Sequence, residues 1–220
     1  MIKQILIKGI FKYLETKRKT ICNYTHNSKW ELNISEDYVR NTFLELASKE
    51  LKSVEGCVAE IGVYRGKFSK NINQVFLDRI FYLFDTFEGF DKRDMSLELK
   101  GNLIHKDKTG HLGDTSIELV RSKLPYPEKC IFKQGYFPDT TKGVNEKFVF
   151  VSIDVDLYQP TLEALNFFYP KLTSPGYLLV HDYNIPRYKG VTEAVKQFRD
   201  KNQLTLVPIG DLGGSAIFIR

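Results

Sequence analysis

The sequence predicts an α/β protein: a seven-stranded, mostly parallel, doubly wound sheet ending in an antiparallel C-terminal hairpin, preceded by an N-terminal helical extension. Three observations predict it. Seven short apolar runs recur from Cys57 onward: CVAEI (57–61), IFYLF (80–84), CIF (130–132), FVFVSI (148–153), YLLV (177–180), LTLVPI (204–209) and AIFI (216–219). Helical segments at about 66–77, 114–123, 160–171 and 190–201 alternate with them. Strands that are apolar throughout and alternate with helices belong to a parallel sheet covered on both faces. The last two runs are joined only by Gly210-Asp-Leu-Gly-Gly214, too short for a helical crossover, so they pair antiparallel.

Taken in order, the chain begins with a basic arm. Residues 1–30 carry Lys3, Lys8, Lys12, Lys17, Arg18, Lys19 and Lys29 against Glu15 alone, so the formal charge of +5 belongs to the arm and the remaining residues are nearly neutral. A nucleic-acid-binding domain carries its basic stripe through the fold, and this one does not. On a helix, Ile2, Ile5, Leu6, Ile10, Tyr13 and Leu14 form an apolar stripe opposite the lysines. That stripe suits packing on the chain's own domain or on a second copy in a homo-oligomer, with peripheral membrane contact as the alternative. Lys8 and Lys12 interrupt it, no small-residue cleavage site follows, and no run reaches the roughly 18–20 apolar residues of a membrane span. Ser35 then caps a helix carrying Val39, Phe43, Leu44 and Leu46 to about Leu51. The expected organisation is an extension over 1–52 and one domain over 53–220. Cys22, Cys57 and Cys130 are odd in number and form no Cys-x-x-Cys pair, which reads as buried thiols in a reducing, cytoplasmic compartment. The segment 88–113 is polar, irregular and longer than an ordinary loop, a candidate lid or substrate loop.

The chemistry-bearing residues fall at the carboxyl ends of strands, where open parallel sheets bind their ligands. Glu60-Ile-Gly62-Val-Tyr-Arg-Gly66 ends the first strand and opens the first helix, so its glycines let the backbone turn sharply beside a ligand. Tyr64 stands where a dinucleotide fingerprint needs its middle glycine, which disfavours pyrophosphate. Glu60 suits a cationic ligand end, and a structural turn is the plainer alternative. Asp85, ending the second strand, is placed to accept hydrogen bonds from ribose hydroxyls. Asp154-Val-Asp156 and His181-Asp182 follow the fourth and fifth runs, so Asp154, Asp182 and His181 converge from adjacent loops in an oxygen-rich set that suits Mg²⁺ or a similar hard cation. Such a cation lowers the pKa of a bound hydroxyl, and a nearby carboxylate or imidazole then removes the proton. Against this, Asp156 also suits a cap for the helix near Pro160, and His181 a hydrogen-bonded core residue.

From about Asp37 to about Phe198 the chain resembles the class I, Rossmann-like S-adenosylmethionine-dependent methyltransferases of the macrocin O-methyltransferase type, which methylate sugar hydroxyls. The resemblance rests on Glu60-Ile-Gly-Val-Tyr-Arg-Gly66, Asp85-Thr-Phe-Glu-Gly89, Gly135-Tyr-Phe-Pro-Asp-Thr140, Asp154-Val-Asp-Leu-Tyr158 with Thr161, Pro175-Gly-Tyr-Leu-Leu-Val-His-Asp-Tyr183, and Gly190-Val-Thr-Glu-Ala-Val195. It implies that Glu60, Gly62 and Gly66 line the methionine end of S-adenosylmethionine, that Asp85 holds its ribose, and that Gln134 and Gly135 lie beside adenine. Tyr64 and Thr86 complete that cofactor-binding set. It implies Mg²⁺ on Asp154, His181 and Asp182, with Asp156 in the place of a general base. His181 departs from the family, which has an acid there. Because magnesium prefers oxygen, Mn²⁺, Fe²⁺ or a metal-free site using His181 as base also stay open.

The implied reaction is in-line transfer of the sulfonium methyl to a hydroxyl oxygen of a glycoside, a nucleotide-sugar or a surface-polysaccharide precursor. The main contribution of the enzyme would be alignment of oxygen, methyl and sulfur. The acceptor is a small molecule or glycan, not nucleic acid. Two other functions compete. A metal-dependent glycosyltransferase would use Asp154-Val-Asp156 against a nucleotide diphosphate, and a non-catalytic protein would bind the cofactor without turnover.

Overall fold

The computed structural model describes residues 38–220; the Ser35 cap, the apolar stripe of the basic arm and Cys22 lie outside these residues. The elements in order are α1 (Tyr38–Glu50), β1 (Cys57–Ile61), α2 (Lys67–Val75), β2 (Phe81–Asp85), α3 (Lys92–Lys100), α4 (Ile117–Arg121), β3 (Cys130–Gln134), β4 (Phe148–Ile153), α5 (Tyr158–Phe168), β5 (Leu172–Val180), α6 (Lys189–Asn202), β6 (Val207–Pro208) and β7 (Ala216–Ile219). The strands form one sheet in the order β3-β2-β1-β4-β5-β7-β6. β1 to β5 run parallel, and β7 lies antiparallel between β5 and β6. The order reverses between β1 and β4, and such a switch point opens a crevice at the carboxyl ends of those strands.

Both faces of the sheet are covered, which is why its strands read as unbroken apolar runs. Successive side chains point to opposite faces. Val58, Phe81, Leu83, Phe150 and Leu179 pack with Leu44 and Ala47 of α1, Ile72 of α2 and Val120 of α4. On the other face Ala59, Ile61, Phe84, Val151 and Leu178 meet Leu165 and Phe168 of α5 and Val195 and Phe198 of α6. Helix α1, expected as part of an extension, thus shares the core of the sheet. Among the described residues no helix is long and apolar enough to cross a membrane.

Two local expectations are corrected. The run LTLVPI contracts to the two residues of β6, because Pro208 has no N–H to donate and the strand lies at the sheet edge. The segment 88–113 is not irregular throughout: it opens with α3, whose N-terminus Asp91 caps by accepting from the Arg93 N–H at 2.8 Å. The buried face of that helix is Asp94, Met95 and Glu98, so an apolar periodicity could not reveal it. Glu98 Oε1 accepts from the Tyr158 N–H at 2.5 Å, satisfying a free donor at the start of α5. The ends of the segment are drawn together by Phe90 N–H to His111 O and Gly110 N–H to Phe90 O, each 3.0 Å.

Candidate active site

Four strand ends build one open cavity at the carboxyl edge of the sheet. Gly62 follows β1, Asp85 and Thr86 stand at β2, Gly135 and Tyr136 follow β3, and Asp154 and Asp156 follow β4; all line it, as does Tyr64. Gly62 has φ +84°, and a Cβ there would stand 1.9 Å from the Asp154 carbonyl oxygen, so the β1 and β4 loops touch through a missing side chain. Asp85 braces the same turn: its Oδ2 accepts from the Val63 and Tyr64 N–H groups at 2.7 and 2.8 Å, and its Oδ1 from the Phe87 N–H at 2.8 Å.

Other expected cofactor residues stand off the wall. Gly66 starts α2 and faces Val120, and Gln134 is exposed. Glu60 is 1% exposed, and the Ser69 hydroxyl donates to it. Burial pushes the Glu60 carboxyl up from 4.5 to about 8. A raised folded-state value means that the native state binds the proton more tightly, so stability falls as pH rises from about 4.5 to about 8. Glu60→Gln should therefore gain in melting temperature relative to the wild type across that window, and a difference independent of pH would contradict this account.

The acidic cluster lies where β4 and β5 end side by side. His181 Nδ1 is 3.2 Å from Asp154 Oδ1 and 3.1 Å from Asp182 Oδ2, yet it is buried without a well-aligned hydrogen bond. One donor atom from each of Asp154, His181 and Asp182 lies within 4.8 Å of the others. Two carboxylates and an imidazole converging in this way could hold a divalent cation. Asp156 and Asp182 adopt left-handed backbone, φ +62° and +59°, a conformation uncommon outside glycine and concentrated at functional sites. Opposite His181, a Cβ on Gly213 would stand 1.9 Å from Nε2, so the β6–β7 connection walls the imidazole in.

Sequence reasoning missed Arg40. From α1 it donates to Asp154 Oδ2 at 3.0 Å and to Ser152 Oγ at 3.2 Å, with its guanidinium 3.7 Å from the centre of the Phe68 ring. Its pairing with Asp154 spans 114 residues, and nothing local in the sequence marks it. Burial alone would raise the Asp154 carboxyl, but the charges of His181 and Arg40 outweigh it and hold it well below the usual range. Burial would lower His181, yet the facing Asp154 carboxylate pushes the imidazole up to about 10. Burial, then the Asp154 charge, pushes the Asp156 carboxyl well above its ordinary value.

The description of the macrocin O-methyltransferase family (TylF) matches residues 37–220, from α1 to the last residue. The chain belongs to this family. As a member it is an enzyme, an O-methyltransferase with S-adenosylmethionine as methyl donor. It is similar to mycinamicin III 3''-O-methyltransferase of Micromonospora griseorubida, 24% identical over 90% of this chain and 91% of that protein. It is also similar to 8-demethyl-8-(2,3-dimethoxy-alpha-L-rhamnosyl)-tetracenomycin-C 4'-O-methyltransferase of Streptomyces olivaceus, 26% identical over 76% of this chain and 66% of that one. Among solved structures, the calicheamicin methyltransferase CalS11 superposes with a TM-score of 0.68 at 15% identity, over 94% of this chain and 91% of that chain. That likeness bears on the fold, a class I methyltransferase sheet. For this family member, the glycosyltransferase and non-catalytic readings do not stand against a match of that extent.

Proposed function

We propose that this enzyme methylates a hydroxyl of a sugar unit, in a glycoside, a nucleotide-sugar or a surface-polysaccharide precursor, with a divalent cation held by Asp154, His181 and Asp182. The observation that carries the reading is the convergence of those three donors beside a cavity that Gly62, Asp85 and Gly135 line. The sugar acceptor is supported by relatives named as 3''- and 4'-O-methyltransferases, the second with a rhamnosyl unit in its substrate's name. A bound cation would supply Lewis-acid polarisation of the acceptor hydroxyl.

The residues of the chain account for the rest. The cavity would hold the sulfonium carbon in line with the acceptor oxygen, and such alignment is the main source of acceleration open to a reaction of this kind. The oxygen lone pair forms the new C–O bond while the C–S pair returns to sulfur, leaving the neutral thioether of S-adenosylhomocysteine. Asp156 lines the cavity and takes the hydroxyl proton, its raised carboxyl bringing it closer to the strength a base needs at neutral pH. His181 stands outside the wall and serves the cation set.

The test incubates the purified protein with methyl-labelled S-adenosylmethionine and a panel of glycosides and nucleotide-sugars, with Mn²⁺, Mg²⁺ or EDTA. Label on a sugar oxygen that EDTA suppresses and Mn²⁺ restores is expected. Full transfer in EDTA would remove the cation from the proposal, and transfer only to non-sugar hydroxyls would remove the acceptor.

A further inference from the structure

The order of the strands maps onto the length of the cofactor. The reacting methyl must meet the acceptor near Asp154 and Asp156, after β4, and the methionine end lies against Gly62, after β1. The ribose then falls at Asp85 on β2, and neighbouring strands are about 4.8 Å apart. One strand further, the adenine reaches the end of β3, at Gly135 and Tyr136. Resting on the placement of S-adenosylmethionine in this cavity, we propose that Asp94, held in place by Tyr136, accepts a hydrogen bond from the exocyclic amine of the adenine and so reads the identity of the base.

Asp94 belongs to α3, is 5% exposed and lines the cavity. The Tyr136 hydroxyl donates to its Oδ1 at 2.8 Å, and the Arg93 guanidinium lies 3.4 Å from the centre of the Tyr136 ring, fixing the tyrosine. Asp94 Oδ2 has no hydrogen-bond partner among the described residues and keeps some exposure, on a residue that lines the cavity. The same cavity is lined by Phe84, Phe90, Leu112 and Phe137, apolar surfaces that suit a flat heteroaromatic ring. A carboxylate oxygen left without a donor in such surroundings is costly, and the amine of adenine supplies the donor. Burial raises the Asp94 carboxyl to about 6, so it is mainly ionised, and an acceptor only, at pH 7.5. A base with a carbonyl in place of the amine would set two acceptors against each other, a mismatch that sites built around one hydrogen bond reject strongly.

The test measures calorimetric affinities of the full chain for S-adenosylhomocysteine and for S-inosylhomocysteine, whose base carries that carbonyl. The wild type should prefer the adenosyl compound at least tenfold. Asp94→Asn should weaken S-adenosylhomocysteine at least tenfold and narrow or invert the preference, because its amide can donate to the carbonyl. Tyr136→Phe, which removes only the holding hydroxyl, should weaken S-adenosylhomocysteine several-fold and keep the preference. An Asp94→Asn protein that binds S-adenosylhomocysteine within threefold of the wild type with the preference unchanged overturns the proposal; this is also the outcome expected if Asp94 served the acceptor. A wild type with less than a threefold preference overturns it even if the Asn variant fails to fold. Failure of the wild type to bind S-adenosylhomocysteine at all would instead unseat the cofactor placement beneath it.

Discussion

Asp154→Ala should cost the fold about 3–5 kcal/mol, the usual penalty for removing one member of a buried ion pair. For a domain of this size that lowers the melting temperature by roughly 10 °C. The reason is Arg40, whose side chain is 7% exposed and would lose the carboxylate it pairs with at 3.0 Å. Adding Arg40→Met to Asp154→Ala should recover much of the loss, since it removes the buried charge that the Asp154 carboxylate offsets. Mn²⁺ binding, followed by electron paramagnetic resonance, should disappear in the single variant and stay absent in the double. Recovery of stability without recovery of the cation separates the two duties of Asp154. If Asp154→Ala melts within 2 °C of the wild type, the buried pair carries no such weight; if it still binds Mn²⁺, Asp154 is not a ligand.

Gly62→Ala should reduce affinity for S-adenosylhomocysteine at least a hundredfold, about 2.7 kcal/mol. Two costs act together. The backbone sits at φ +84°, which an alanine adopts with strain, and the new Cβ would stand 1.9 Å from the Asp154 carbonyl oxygen. No side chain can yield there, because the obstacle is backbone. The β1 and β4 loops must separate, and both line the cavity. Calorimetry at constant pH reads the loss, and Gly143→Ala is the control. Gly143 also has a positive φ, +79°, but its Cβ would meet nothing within 4 Å, so it carries the conformational strain without the collision. Equal losses in the two variants would attribute the effect to general destabilisation.

What the sequence made legible follows from what is local. FVFVSI and AIFI map residue for residue onto β4 and β7 because strands covered on both faces need an unbroken apolar run. Gly62, Asp85, Asp154 and Asp156 could be singled out because each sits at a strand end that the same runs predict. Helix α3 was hidden because carboxylates fill its inner face beside Met95, although Asp91, a capping residue, was a readable signal of its start. Arg40 and Asp94 were hidden for a different reason. Each acquires its role from a partner in a distant part of the chain, Asp154 for one and Tyr136 for the other, and only the folded sheet brings those partners within reach.

The roof made by residues 90–111 begins and ends at one place, stitched between Phe90, Gly110 and His111. Its length is therefore decoupled from the sheet beneath, and the segment can be exchanged as a unit for a longer or shorter one. Two conditions attach to such a graft, the first being that Asp94 and its hydrogen bond from Tyr136 are kept. The amide of Tyr158 depends on Glu98 for its acceptor, so a transplanted cap must bring its own carboxylate or leave the start of α5 with an unanswered donor.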